Sequence, residues 1–204
     1  MSNDLSQHWN TAYKNKGERG VSWFEESPEL SVDLIASLGL DRPSVVDVGG
    51  GASRLVDAGL ARGWDMAVLD LAESALEAAR QRLGAPGSSV EWIASDVRTW
   101  QPSRQFDVWH DRAAFHFLTL PSDRAAYVER LATAVKPRGT AIIATFALDG
   151  PERCSGLEVV RYDPATLANV VGSSFELVDE RRHLHTTPWG STQAFQFSVF
   201  QRKP

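Results

Sequence analysis

The chain has 204 residues, a formal net charge of -5, 43% apolar residues and 23% charged residues. That suits a single globular domain able to bury its own core, and it excludes a broadly basic nucleic-acid surface. The lone cysteine, Cys154, excludes an internal disulfide, and no run of about 18 apolar residues offers a membrane span.

In chain order, Ser2 to Lys14 reads as a short helix broken at Gly17 to Gly20. Ser27-Pro28-Glu29 has the pattern of an N-cap, a proline at the first helical position and an acidic first turn. The helix that follows carries Leu30, Leu34, Ile35 and Leu38 on one face and stops at Gly39. Strands and helices then alternate. Strands are expected at 44–48, 66–69, 90–94, 106–109 and 140–146, and helices at 54–62, 73–83 and from Ser122 to Val135. Pro137-Arg138-Gly139 reads as a turn. A short helix at 163–171 precedes two long strands, 175–183 and 193–201, joined at Thr187-Pro188-Trp189-Gly190. Short apolar strands separated by helices predict a parallel sheet covered on both faces, and the closely joined last pair is antiparallel.

The polar segment Met1 to Asn10 has neither the apolar centre of a signal peptide nor the arginine bias of a transit peptide, so a cytoplasmic protein is expected. Seven tryptophans are many for this length; stacking on a ligand and plain packing both account for them.

The first strand runs into Asp47-Val48-Gly49-Gly50-Gly51-Ala52-Ser53. Glycines here permit a tight turn and close backbone approach above a helix N-terminus. Asp47 stands two residues before Gly49. Asp70 ends the second strand, where a carboxylate accepts both hydroxyls of a ribose. Asp96 ends the third and is followed by apolar Val97. A nicotinamide dinucleotide would share Asp70, but it wants a glycine at position 54, where this chain has Arg54. Its pyrophosphate would also meet Asp47, which repels an anion and welcomes an ammonium or sulfonium.

These motifs resemble those of class I S-adenosylmethionine-dependent methyltransferases. Asp47-Val-Gly49-Gly-Gly51 is similar to their first motif, with Ser53 in place of a third glycine. Asp70, followed by Leu71, matches the ribose-holding acid, and Asp96-Val97 the pair beside the adenine. The resemblance implies a Rossmann-like, doubly wound α/β sheet of order 3-2-1-4-5-7-6 in one domain, 1–204. Residues 1–40 would form a helical lid and 41–204 the core. It also implies S-adenosylmethionine as cofactor. The segment Trp9-Asn10-Thr11-Ala12-Tyr13, with Ser22-Trp23-Phe24, resembles the lid of these enzymes, so Tyr13 and Trp23 are expected beside the cofactor.

The fourth strand's end, Asp107-Val-Trp-His110-Asp111-Arg112-Ala-Ala-Phe115-His116-Phe117, should face the methyl group. It lacks the Asn/Asp-Pro-Pro-aromatic motif of amide and DNA-amino methyltransferases. It is more similar to the segment in lysine methyltransferases acting on citrate synthase and elongation factor 1A, from which His110 and Arg112 depart. A lysine amine, with a pKa of about 10.4, must lose its proton before it attacks. Asp111 is the expected base, with His110 and His116 next; the alternative is that Asp111 caps the following helix or pairs with Arg112. His110 is also expected at the cofactor. A thiolate or other soft anion needs no base, only the charge of Arg112, Arg153 or His185. The loop from Leu148 to Gly156, with Cys154, is placed to close over the acceptor. His183, His185, Trp189 and Phe195 on the terminal hairpin line the same pocket or belong to an ordinary half-buried strand. None of the five histidines shows metal-ligand spacing, so no metal is expected.

The expected function is transfer of a methyl group to a small molecule or a protein side chain, lysine included, by a monomer or small homo-oligomer without nucleic acid or membrane. Thiol or chalcogen methylation of the thiopurine or tellurite type is the alternative, and a non-catalytic cofactor-binding partner the third.

Overall fold

The computed structural model describes residues 2–204, with side chains from Leu5 onward; Met1 lies outside the described residues. Among the described residues six α-helices are present: α1 (Ser2–Lys16), α2 (Glu29–Ala36), α3 (Leu55–Ala61), α4 (Glu73–Leu83), α5 (Pro121–Ala134) and α6 (Pro164–Val171). The parallel strands are β1 (Ser44–Val48), β2 (Asp65–Asp70), β3 (Glu91–Ala94), β4 (Phe106–Arg112) and β5 (Val135–Phe146). A two-residue ladder, β6 (Arg153–Cys154) with β7 (Leu157–Glu158), precedes the antiparallel pair β8 (Phe175–Thr186) and β9 (Thr192–Arg202). The large sheet has the order β3-β2-β1-β4-β5-β9-β8. With the β6–β7 ladder set aside, this is the expected 3-2-1-4-5-7-6. Among the described residues, no helix is long and apolar enough to cross a membrane.

Alternation along the strands builds two cores. Val46, Val48, Trp109 and Ile143 pack with Tyr127 and Leu131 of α5 and Leu167 and Val171 of α6. Val45, Val108 and Ile142 point the other way, onto Leu34 and Ile35 of α2, Leu55 and Val56 of α3 and Leu76 of α4.

Three local expectations change. Ser27 and Ser122 do not cap helices. Pro28 itself is the N-cap of α2, and Leu120 precedes Pro121 at the first position of α5, neither with a side-chain cap bond. Pro121's fixed φ suits the first helical position, while Pro28 contributes its carbonyl, which accepts from Val32 N at 3.0 Å. The stretch from Pro137 to Gly139 is a bulge within β5, where the register with β4 slips. Arg138 there has φ 63°, and a Cβ on Gly139 would lie 2.8 Å from Val135 Cγ1. Finally, β4 runs on to Arg112, three residues past its expected end.

Ile142 is fully buried in the centre of the sheet. Ile142→Ala should lower unfolding stability by about 2–5 kcal/mol, the range for truncating a buried isoleucine, as read by urea denaturation.

Candidate functional site

The carboxyl ends of the parallel strands open into a cleft lined mostly by apolar side chains. Asp70 and Leu71 line it from the end of β2, Ser95, Asp96 and Val97 from the end of β3, and Gly49 from the loop after β1. A smaller cavity lies beside it, lined by Asp47, Gly49, Gly50, Arg54, His110 and Ser31 among others. Tyr13, Trp23, Gly49 and Arg112 line both.

The glycine loop is hooked to β2, because the amides of Gly49 and Gly50 donate to Leu69 O at 2.7 and 3.3 Å. Gly49 has φ 67°, and a Cβ there would sit 2.5 Å from Ala114 Cβ. Gly51 does not line either cavity, yet a Cβ on it would reach Tyr13 Oη at 2.7 Å and Asp70 Oδ2 at 3.0 Å. Both positions therefore exclude a side chain for conformational and steric reasons together.

Asp70 accepts a bond from Ala72 N at 2.7 Å. Burial pushes its carboxyl up to about 7; bonds from the amides of Ala72, Gly51 and Leu71 oppose the rise, and the charge of Asp47 adds to it. The carboxylate of Asp96 takes the Arg98 guanidinium, at 2.9 Å to Nε and 2.5 Å to Nη2, and Arg98 reaches on to Asp123 at 2.8 Å. Burial and the nearby Asp70 charge hold the Tyr13 phenol protonated, well above its ordinary range, and Trp23 Nε1 donates to its oxygen at 3.2 Å.

Leu5, Trp9 and Tyr13 of α1, with Trp23 after it, line the cleft. Trp9 of α1 meets Trp23 and Phe117 edge-on, with ring centroids at 5.6 and 4.9 Å. Ser6 Oγ donates to Leu71 O at 3.0 Å, and Asn10 Oδ1 accepts from Ser74 N at 3.0 Å, so α1 supplies the first turn of α4 with an acceptor. Glu18 bridges Arg54 and Arg82, each at 2.6 Å.

Residues 22–25 are fastened from the other side. Arg112 donates to Trp23 O at 2.8 Å and pairs with Glu25 at 2.8 Å, and His185 Nε2 lies 2.6 Å from Ser22 O. Burial alone would raise the Glu25 carboxyl, but His185, Arg112 and His183 outweigh it and hold the group below its ordinary range. Glu25, His183 and His185 are the one group among the described residues with metal-like spacing. Arg112 already supplies the positive charge at its centre, so the cluster works as a latch for the segment.

Of the expected acceptor-side residues, Arg112 and Cys154 line the cleft, and Asp111 and His116 line neither cavity. The length of β4 explains this. Because the strand continues to Arg112, alternation sends Val108, His110 and Arg112 to one face and Trp109 and Asp111 to the other. Asp111 is fully buried under α5; its Oδ1 accepts from Ala114 N at 2.9 Å and Phe115 N at 3.2 Å, and its Oδ2 from Tyr127 Oη at 2.7 Å. It is the cap of the following turn, the alternative the sequence left open, and not a base at the acceptor. His116 is fully buried against Phe146 and accepts from Phe146 N at 3.3 Å. Burial, helped by the Arg112 charge, lowers it to about 3, so it takes no proton near neutrality.

His110 faces the smaller cavity, bound to Asp47 at 2.7 Å and Ser31 at 2.8 Å. Ser31 carried no signal in sequence, since a serine inside an amphipathic helix is ordinary. Cys154 lies buried in β6, not in an open loop, and burial raises its thiol to about 11. Arg153 and Trp189 are exposed and line neither cavity. His183 and His185 belong to the latch, and Phe195 packs in the sheet under Arg112 at 5.2 Å.

Burial raises Asp111 to about 6, against bonds from Tyr127 and the amides of Ala114 and Phe115. A carboxyl raised in the folded state favours folding while protonated, so its contribution is full below about pH 4 and falls as pH rises through about 6. Chemical denaturation at pH 4 to 7 should show stability falling across that window, and Asp111→Asn should flatten the fall. Asp111→Ala should lower stability at every pH, because it strands three buried donors.

Residues 45–139 match the profile of a family described as a methyltransferase domain. No curated protein matches the chain in sequence. Among solved structures, the chain is similar to one described for the conversion of a disulfide bond into a thioacetal group during echinomycin biosynthesis (TM-score 0.80, 16% identity, covering 98% of this chain and 93% of that one). It is also similar to the 1,6-didemethyltoxoflavin-N1-methyltransferase of Burkholderia thailandensis bound to 1,6-didemethyltoxoflavin and S-adenosylhomocysteine (TM-score 0.76, 20% identity, covering 100% and 91%). The N-methyltransferase NodS of Bradyrhizobium japonicum WM9, in complex with S-adenosylhomocysteine, is a third (TM-score 0.71, 14% identity, covering 96% and 98%). These likenesses establish the fold. The profile match runs from β1 to the bulge of β5, somewhat under half of the chain, so over that stretch the chain is similar to a methyltransferase domain, carried on a Rossmann-like sheet.

Proposed function

We propose that this chain methylates a small-molecule nucleophile that needs no proton removed by the enzyme, such as a thiolate, another soft anion or a ring nitrogen. The observation that carries the reading is the lining of the cleft at the β4 end. Trp9, Trp23, Phe117, Arg112 and Cys154 stand there, and the cleft's carboxylates, Asp70, Asp96 and Asp123, belong to the β2, β3 and α5 side. Asp111 and His116, the residues with base chemistry nearest in sequence, are buried elsewhere.

The residues present fit the cofactor. Asp70 suits the ribose, and Leu71 and Asp96-Val97 suit the adenine. Asp47 Oδ2, buried without a partner beside the smaller cavity, suits the α-ammonium. When bound, S-adenosylmethionine supplies a sulfonium methyl, whose leaving group is already good. What remains for the protein is to align the acceptor with that methyl and to exclude water. Trp9, Trp23 and Phe117 provide apolar, flat walls, and Arg112, neutralised by Glu25 in the free protein, provides a cation that an anionic acceptor can share. Closure of α1 and residues 22–25 over the cleft keeps the site dry.

The neighbour bound to 1,6-didemethyltoxoflavin supports a small acceptor on this fold. Lysine methylation is the second reading, and the aromatic walls favour it to the extent that they attract an ammonium. It rested on Asp111 as base, and the alternation of β4 removes that support. Incubation with radiolabelled cofactor and a cell extract split by size should put label in the small-molecule fraction; label confined to a protein band would overturn that reading in favour of a protein side chain.

Asp70 gives a second prediction. The ionised carboxylate accepts two ribose hydroxyls and the protonated one accepts less well, so affinity for S-adenosylhomocysteine should rise from pH 6 to pH 8, through the value of about 7. Calorimetry across that range should show the rise in the native protein, and Asp70→Ala should lose measurable binding at every pH.

A further inference from the structure

The buried chain Ser31–His110–Asp47 crosses three elements. Asp47 and His110 are register partners on the neighbouring parallel strands β1 and β4, on the same face, and Ser31 comes from α2. His110 Nδ1 lies 2.7 Å from Asp47 Oδ1, and His110 Nε2 lies 2.8 Å from Ser31 Oγ. The three residues are 2%, 2% and 1% exposed. A carboxylate only accepts, so Nδ1–H donates to Asp47, and Nε2 shares a hydrogen bond with the Ser31 hydroxyl. Both ring nitrogens are then satisfied.

Asp47 Oδ2 is not. It is buried without a hydrogen-bond partner, in a residue that lines the smaller cavity. It lies against Gly50, where a Cβ would come within 2.6 Å of it, so the loop is kept bare at that point. The nearest cation in the cluster, Arg112, is engaged by Glu25 at 2.8 Å. A buried carboxylate with one oxygen tied down and the other open is costly unless a cationic donor completes it. Without an imidazole behind it, the same side chain would be free to turn its open oxygen elsewhere.

We propose that His110, backed by Ser31, is a positioning residue that holds Asp47 as an ammonium-selecting anchor for the amino-acid end of the cofactor. The inference rests on the cofactor assignment above and adds a selection rule. The site should discriminate between adenosyl thioethers that carry an α-ammonium and those that do not.

Calorimetry with two probes tests this. S-adenosylhomocysteine has the amino-acid group, and 5′-methylthioadenosine has the same adenosine and sulfur without it. The native protein should prefer the former by about tenfold or more, the size expected of a hydrogen-bonded charge. His110→Leu should reduce that preference to about twofold or less while leaving methylthioadenosine affinity unchanged, Ser31→Ala should reduce it partly, and His110→Asn, which keeps an N–H donor, should restore part of it. Equal weakening of both probes, or an undiminished preference in Ser31→Ala and His110→Leu alike, would overturn the inference. Should His110→Leu fail to fold, Ser31→Ala decides by the same comparison. Absence of S-adenosylhomocysteine binding in the native protein is a separate arm, and it would overturn the cofactor assignment together with the inference.

Discussion

Parallel pairing of β1 between β2 and β4 is the constraint on which the site depends. The register sets Val48 beside Leu69 on one side and Asp111 on the other, and Asp47 beside His110. The Gly49 and Gly50 amides then close on Leu69 O. One ladder thus fixes the glycine loop, the acid before it and the acid that ends β2 into a single rim. Asp70 would not meet the other two without the sheet, since it lies 21 residues beyond Gly49 in the chain.

The rim is electrostatically expensive. The charge of Asp47 raises the cost of ionising Asp70, and Asp70 is buried besides. Such an arrangement is poorly optimised for the free protein and well suited to a ligand that brings hydroxyl donors and a positive charge. The lid shares in this. Tyr13 stands over Gly51 and Asp70, so the group that covers the cleft also desolvates its acid. Cover and site are coupled through the same few side chains.

The cover is held at two ends by different physics. Toward β2, α1 is tied by Ser6 and Asn10, which satisfy backbone groups of Leu71 and Ser74, and by the Glu18 bridge to Arg54 and Arg82. Toward β4 and β8, residues 22–25 are held by Arg112, His183 and His185 around Glu25. Arg112 serves both as a latch and as a wall of the cleft. The placement of residues 22–25 and the charge on that wall of the cleft are therefore not independent.

The sequence by itself determined the sheet, its order and the acids and glycines that gather at the strand ends, because those signals are local. Apolar runs, glycines after the first strand and acids at strand ends each follow from chemistry within a few residues. Helix starts at Pro28 and Pro121, the bulge at Arg138 and the end of β4 were less legible, since pairing with a neighbouring strand or a proline's φ decided them. The acceptor side belongs to tertiary structure alone. Three more residues of β4 turned Asp111 into the core beneath Tyr127 and left Arg112 facing the cleft. Ser31 with His110, and Ser22 with His185, are joined across 79 and 163 residues, a separation no sequence pattern carries. Such contacts exist only where the folded backbone brings their elements side by side.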